Sequence, residues 1–340
     1  MTITRGVRVP VFDHLLALSD EHGLFEHARH DVPRPEHGYC IDDESRALVV
    51  LCREATLAPA LQLLADRMLG LVAAAITPGG LCHNRHDASG AWTDKAGLDD
   101  CWGRALWGLG FAVAHAPDAE MRDVALAAFL RAVDRRPTHR RPLVFAALGA
   151  GELALARPEV TGARTLLRHF AGTIMALPST PSWRWPAPRL TYSNGSVAEA
   201  MIVAGQALGD DAVVARGLVL LDFLLSMETR DGHLSVTPVG GRGRHDAVPA
   251  FDQQPIEVAA LADACARAWT VTRDDRWRDG VDLAVGWFLG DNDALTPMVD
   301  LASGAGYDGL EANGRNDNRG AESTIAALST FQQAARLDRR

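Results

Sequence analysis

The feature that most constrains this chain is a run of apolar helical segments joined alternately by short and long connections. Alanine- and leucine-rich stretches of helical period fall at about 10–22, 43–54, 57–76, 100–115, 118–135 and 140–155. Six more follow at about 159–176, 195–208, 210–227, 254–271, 274–290 and 320–337, and almost nothing reads as a long strand. Tight turns such as Ala116-Pro117-Asp118 and Gly209-Asp210 join the second segment to the third, the fourth to the fifth, and so on. The other connections are long, at 23–42, 77–99, 177–194, 228–253 and 291–319, with Arg136–His139 the short exception. In an up-and-down ring, alternate connections emerge on opposite faces, so nearly all the long loops share one face. The spacing therefore predicts an all-α fold, an (α/α)6 toroid of six helical hairpins, with 1–340 as a single domain. Its working site is expected among the long loops. Two separate all-helical domains are the alternative, which the regular pairing of segments disfavours. Short hairpins are expected around Ser89-Gly90 and, between His233 and Val248, around Gly240-Gly241.

Composition narrows the partners. Of 340 residues, 47% are hydrophobic, enough for a packed core, and 34 basic against 43 acidic residues leave a net charge of −9. That sign argues against a nucleic-acid binder and against anionic membrane surfaces. Cys40, Cys52, Cys82, Cys101 and Cys265 are odd in number and scattered, so neither a disulfide framework nor a zinc site is signalled. Asp291-Asn292-Asp293 and Asn316-Asp317-Asn318 lack calcium-loop spacing and read as turns. No metal or other cofactor is expected. The opening MTITRGVRVPVFDHLL has no apolar core of a leader, and the apolar run near Met68–Ile76 is too short to cross a bilayer. A soluble cytoplasmic protein is the expectation.

Polar residues gather where the even-numbered segments begin. The second opens Gly38-Tyr39-Cys40-Ile41-Asp42-Asp43-Glu44-Ser45-Arg46, and the fourth Asp99-Asp100-Cys101-Trp102-Gly103-Arg104. The eighth opens at Tyr192-Ser193-Asn194, the tenth follows Asp252-Gln253-Gln254 and carries Glu257, and the twelfth carries Glu322. Helix capping accounts for Asp42, Asp99 and Ser193. It does not account for Arg46 and Arg104, which need carboxylate partners inside an apolar helix. If the even segments form the inner ring, Asp43, Asp100, Asn194, Asp252, Glu257 and Glu322 converge on one depression, an arrangement suited to proton transfer or polyhydroxyl ligands. Tyr39, Trp92, Trp102, Trp183, Trp185, Tyr192 and Tyr307 could add aromatic faces for sugar rings, with core packing the competing role for each tryptophan.

Taken together, GYCIDDESRAL, DDCWGRALWGLG, YSNGSVAEAM, FDQQPIEVAALADA, GYDGL and NRGAEST resemble a bacterial family of the six-hairpin glycosidase-like superfamily. Its members often accompany glycosyltransferases and glycoside-processing enzymes. The resemblance implies an (α/α)6 toroid with a carbohydrate-directed cleft, an oligosaccharide or glycoside ligand and association with a glycosyltransferase. It delivers no particular reaction, sugar or oligomeric state. Cys101 and Trp102 stand where the family pattern has a polar residue and a histidine.

The leading expectation is a glycoside hydrolase, inverting by analogy with other toroidal glycosidases, that draws its two carboxyls from Asp43, Asp100, Asp252 and Glu322. Tyr39, Arg46, Trp102, Arg104, Trp183, Trp185, Tyr192, Asn194, Gln254, Glu257, Tyr307 and Asp308 are the candidate substrate contacts. A sugar epimerase or isomerase, or a polysaccharide lyase, is the alternative on the same fold. Histidines there would project from the inner ring, whereas His83, His86, His233 and His245 sit in loops. A non-catalytic carbohydrate-binding partner of a glycosyltransferase is the third reading.

Overall fold

The computed structural model describes residues 10–338. The first nine residues of the stretch read for a leader lie outside that range. Twelve α-helices run through the described residues. They are α1 Asp13–Ala17, α2 Ile41–Cys52, α3 Pro59–Ala75, α4 Asp100–His115, α5 Ala119–Ala132 and α6 Arg140–Ala156. The second half holds α7 Thr161–Met175, α8 Asn194–Leu208, α9 Asp211–Glu228, α10 Pro255–Thr272, α11 Asp275–Phe288 and α12 Ala321–Asp338.

Each even-numbered helix packs on the next, α2 on α4 through to α10 on α12, and α12 returns to α2 to close an inner ring. Helices α3, α5, α7, α9 and α11 pack outside the even helix that precedes them, and α1 packs on α12. The sixth hairpin thus joins the two ends of the chain. The sequence pattern sorts the two layers. In α10 every residue from Pro255 to Ala266 is buried, as an inner helix covered on all sides requires. Outer α7 instead buries one stripe: Ala163, Leu166, Leu167, Phe170, Ala171 and Ile174. Each large apolar side chain so buried contributes about 1.5–3 kcal/mol.

The inner ring is tight because small residues face each other. A Cβ on Gly103 would strike the backbone of Pro142, and one on Gly110 or Gly149 would strike the facing helix of the α4–α6 pair. The first helix is shorter than the 10–22 that periodicity predicts. Asp20 ends that segment, its Oδ1 accepting the amides of His22 (2.8 Å) and Gly23 (3.1 Å) in a turn.

Side-chain caps are found on three outer helices: Asp118 on Glu120, Asp210 on Ala212 and Val213, Asp274 on Arg276. Outer α3 and α7 start from Ala58 and Val160 and have none. Inner α2, α4, α6, α8 and α10 have none from their own N-cap residues. The capping expected of Asp42, Asp99 and Ser193 is therefore not made. Asp42 lies inside α2, and Asp99 and Ser193 hold the cap positions without a side-chain bond. Distant residues serve instead. Asn84 Oδ1 accepts the amide of Asp42 (3.3 Å), and Glu257 of α10 accepts the amides of Ser193 and Asn194 at the start of α8.

The long loops lie over these inner N-termini and are stitched together by two- and three-residue antiparallel pairs. Tyr39–Cys40 pairs with Arg85–His86, Arg189–Leu190 with Arg242–Gly243, and Gly309–Glu311 with Gly314–Asn316. The turn expected at Ser89-Gly90 forms, with Gly90 at φ +78°. The hairpin expected around Gly240-Gly241 does not. His233–Leu234 pairs back onto Thr229–Arg230, and Arg242–Gly243 crosses to the neighbouring loop. No helix among the described residues is long and apolar enough to cross a membrane.

Candidate active site

Where the inner N-termini meet the loops, a cavity of about 410 Å³ opens. Helix α2 supplies Asp42, Asp43 and Arg46, α4 supplies Asp100 and Arg104, and α12 supplies Glu322 and Ser323. Loops add Glu26, His27, Cys40, Arg85, Tyr192, Gln254 and Asp308. The helices place these polar groups on their first two turns, so the inner faces can continue as apolar core below.

Arg46 organises the centre. One guanidinium nitrogen donates to Asp43 Oδ1, another to Glu322 Oε2 at 2.6 Å, and Nε to the Asp42 carbonyl at 3.2 Å. Arg46 and Asp43 are both buried, whereas 40% of the Glu322 side chain faces the cavity. The two carboxyls consequently differ in proton affinity. Burial drives Asp43 up to about 7 against the pull of Arg46, and the charges of Glu322, Glu26 and Asp42 add to the rise. For Glu322, loss of water works upward, but Arg46 and Arg104 outweigh it and hold the group below the usual carboxylate range. Across the cavity, burial and the nearby Asp42 raise Asp100 despite Arg104.

Arg104 is buried, with its guanidinium 4.1 Å over the Phe145 ring and 3.4 Å from Asp42 Oδ1. Arg85 grips Glu26 in a two-pronged fork, one arm at 2.9 Å. Tyr192 presents a 38% exposed ring to the cavity, with Arg141 5.0 Å behind it. Glu26, Cys40 and Asp43 bring three donor atoms within 4.8 Å of one another. Both carboxylates already sit on guanidiniums, and burial followed by the charges of Asp43 and Asp42 keeps the Cys40 thiol protonated, so this trio is poorly suited to a metal.

Of the candidate carboxyls, the structure brings Asp43, Asp100 and Glu322 to the cavity wall. Asp252 stands behind the 308–310 segment, against Gly309, with Oδ1 buried and unbonded. Burial, Glu311 and Asp308 raise it to about 6. Among the candidate substrate contacts, Arg46, Arg104, Tyr192, Gln254 and Asp308 line the cavity. The others are placed elsewhere. Tyr39 is core, stacked 4.7 Å from His86 and donating to Asp20 at 2.8 Å. Trp102 and Trp185 are buried. Trp183 faces outward onto Phe223 of α9, its indole N–H donating to Ala187. Asn194 and Glu257 bind each other at 3.1 Å in the α8–α10 cap, and Tyr307 is covered by Arg315.

Six polar lining groups are not among the candidate site residues: Glu26, His27, Cys40, Asp42, Arg85 and Ser323. The Arg85–Glu26 pair spans 59 residues between two irregular loops, and neither residue carries a local signal. Asp42 was legible as an acid but assigned to capping.

No protein-family model and no curated protein matches the chain. Solved structures do. A sugar epimerase from a ruminal bacterium superposes with a TM-score of 0.73 at 12% identity, covering 96% of each chain. The cellobiose 2-epimerase of Spirochaeta thermophila gives 0.70 at 12% identity, covering 97% of this chain and 95% of that one. An inactive α-1,6-mannanase of Salegentibacter, with two consecutive aspartates changed to asparagine and α-1,6-mannotriose bound, gives 0.63 at 9% identity over 95% of each. At such identity the likeness establishes the architecture alone: this chain folds as an (α/α)6 toroid, as those proteins do.

Proposed function

We propose that this chain, working as a single domain, is a carbohydrate-active enzyme, a glycoside hydrolase with Asp43 as general acid and Glu322 as its ionised partner. One observation carries the reading: a single guanidinium, Arg46, holds two carboxyls whose proton affinities are pushed apart. Glycoside cleavage needs that division of labour, with one protonated group for the leaving oxygen and one charged group for water or the anomeric carbon. With Arg46 on Oδ1, the proton of Asp43 sits on Oδ2. Asp100 is the third carboxyl on the wall and the substitute base. Tyr192, Gln254 and Asp308 contact an oligosaccharide or glycoside, and inversion is the expected stereochemistry.

Two further points support this reading. The mannanase of the same fold is inactive when two adjacent aspartates are changed together, and this chain opens two inner helices with adjacent aspartates, Asp42-Asp43 and Asp99-Asp100. Among the lining residues the single histidine is His27, from a loop, which leaves epimerisation without a histidine pair on the inner ring.

The test is a panel of glycosides and oligosaccharides with purified wild type, Asp43→Asn, Glu322→Gln and Asp100→Asn. Loss of either partner of Arg46 is expected to slow hydrolysis by about 10²–10⁴-fold, with the anomer first released read by NMR. Hydrolysis that survives both changes would end the assignment. Interconversion of sugars without a new reducing end would establish an epimerase, an unsaturated product a lyase, and binding without turnover a carbohydrate-binding partner protein.

A further inference from the structure

At the opposite end of the barrel, where the inner helices finish, a second cavity of about 310 Å³ opens among Arg53, His115, Glu152, Glu199, Asp263 and Arg267. It shares no lining residue with the mouth. Between the two, the axis narrows to a gap of about 40 Å³ walled by apolar side chains such as Val50, Ala260 and Ile325, with Arg46 and Glu322 at its mouth end and Asp263 at its rear end. A ligand in this rear chamber enters from the rear face.

Most of its charges are already matched. Arg53 lies 3.2 Å from Asp263, which also accepts Ser329 Oγ at 3.0 Å and Gln333 Nε2 at 2.6 Å. Glu152 takes His115 at 2.9 Å and the Arg267 guanidinium. One acid is left over. Among the described residues Glu199, only 8% exposed, accepts no hydrogen bond and has one ion pair, with Arg267 at 3.6 Å. Unmet buried groups of this kind cost stability unless something fills the space beside them.

We propose that the rear chamber is a second binding site, for one neutral polyhydroxyl molecule of monosaccharide size, held between Glu199 and the guanidiniums of Arg53 and Arg267. Hydroxyls both donate and accept, so one such molecule supplies the donor that Glu199 lacks while its remaining oxygens accept from the guanidiniums that line the chamber. The Arg53–Asp263 and Arg267–Glu152 pairs cancel each other's charge, which favours a neutral ligand over an ion. Trp107 and Phe111 add apolar wall, and the volume stands at the small end of cavities that hold organic ligands. The site does not depend on the mouth being catalytic.

The experiment titrates the full chain calorimetrically with D-mannose, D-glucose and sorbitol, with ethanolamine as the cationic control, and soaks crystals with the tightest of them. Burial and the charge of Asp263 raise Glu199 to about 7. At pH 8, where it is ionised, binding is expected to weaken about tenfold in Glu199→Gln, which loses a charged acceptor. It is expected to vanish in Ala266→Phe, which fills the chamber, and to persist in Asp43→Asn. Circular dichroism and melting identify a variant that has failed to fold, in which case Glu199→Gln and the soaked crystal decide. Heat undiminished by Glu199→Gln, a preference for ethanolamine, or a soaked chamber holding only ordered water would each overturn the proposal.

Discussion

Replacing Asp43 with asparagine should make the protein more stable while it removes the activity, and the stability gain should depend on pH in a calculable way. The ordinary value for this carboxyl is 3.8, and burial raises it to about 7 in the folded chain. Between those limits the folded state keeps a proton that the unfolded chain has lost. The contribution of Asp43 is therefore complete below pH 4 and declines as pH rises towards 7. A shift of about three units corresponds to roughly 4 kcal/mol at ~1.4 kcal/mol per unit. The side chain is 2% exposed, so solvent screening removes little of this. Asparagine fits the same space, can still accept from Arg46 through Oδ1, and has no proton to lose. Scanning fluorimetry should therefore find Asp43→Asn equal to wild type at pH 4 and several degrees more stable at pH 8, at roughly 2 °C per kcal/mol. Hydrolysis by the same variant should fall by about 10²–10⁴-fold, and the wild-type rate should decline above pH 7 as the acid ionises. A variant less stable than wild type at pH 8, or a difference that ignores pH, would refute the assignment of Asp43 as a buried, strained carboxyl.

Other perturbations separate the roles around it. Arg46→Met should cost about 3–5 kcal/mol, because it leaves Asp43 buried beside Glu322 without their shared cation; chemical denaturation measures this, and adding Glu322→Gln should recover part of it. Glu257→Ala removes the acceptor for the amides of Ser193 and Asn194 and should destabilise by about 2–3 kcal/mol. Amide exchange in that variant should accelerate first at the start of α8. Gly149→Ala forces a methyl into the backbone of α4 and should lower the yield of folded protein, whereas Gly172→Ala, in open space on α7, should be tolerated.

The ring was legible in the sequence because two different signals agreed: twelve recurring apolar segments of helical period and alternating loop length. Both are local in the chain. The candidate site was legible to the extent that its residues ride on the first two turns of an inner helix, as Asp43, Arg46, Asp100, Arg104 and Glu322 do. Aromatic residues misled for a physical reason. Tyr39 sits one residue from the α2 N-cap but points away from the mouth, where it stacks on His86 and satisfies its hydroxyl on Asp20. Periodicity identifies a face only once a helix has begun, and Tyr39 precedes it. Glu26 and Arg85 were invisible because their pairing depends on how two irregular loops cross. Asn194 and Glu257 were read as ligand-facing because an acid near a helix start has two possible partners, a substrate or a neighbouring helix, and spacing cannot distinguish them.

That ambiguity has a structural resolution in how the two layers treat their N-termini. Outer α5, α9 and α11 begin after tight turns, and an aspartate at the N-cap of each closes the amides, namely Asp118, Asp210 and Asp274. An inner helix begins under a long loop, beside two other inner helices. Its first-turn acids can therefore reach across the ring: Asp43 and Glu322 meet on Arg46, and Asp42 meets Arg104. Only at α8 is that freedom used up, with Glu257 spent on capping its neighbour. The amides that the inner helices leave uncapped by their own side chains add positive potential at the mouth. It favours charge on Glu322, which stands open to the cavity, more than on Asp43, whose ionisation is opposed by burial. The division between a charged and a protonated carboxyl thus follows from position in the ring. Moving a capping aspartate into the Cys40 position should widen it, by adding a negative charge beside Asp43 at the start of α2. The alkaline limb of the rate would then move upward as Asp43 holds its proton more tightly, and an unmoved limb would show that the ring geometry does not set the difference.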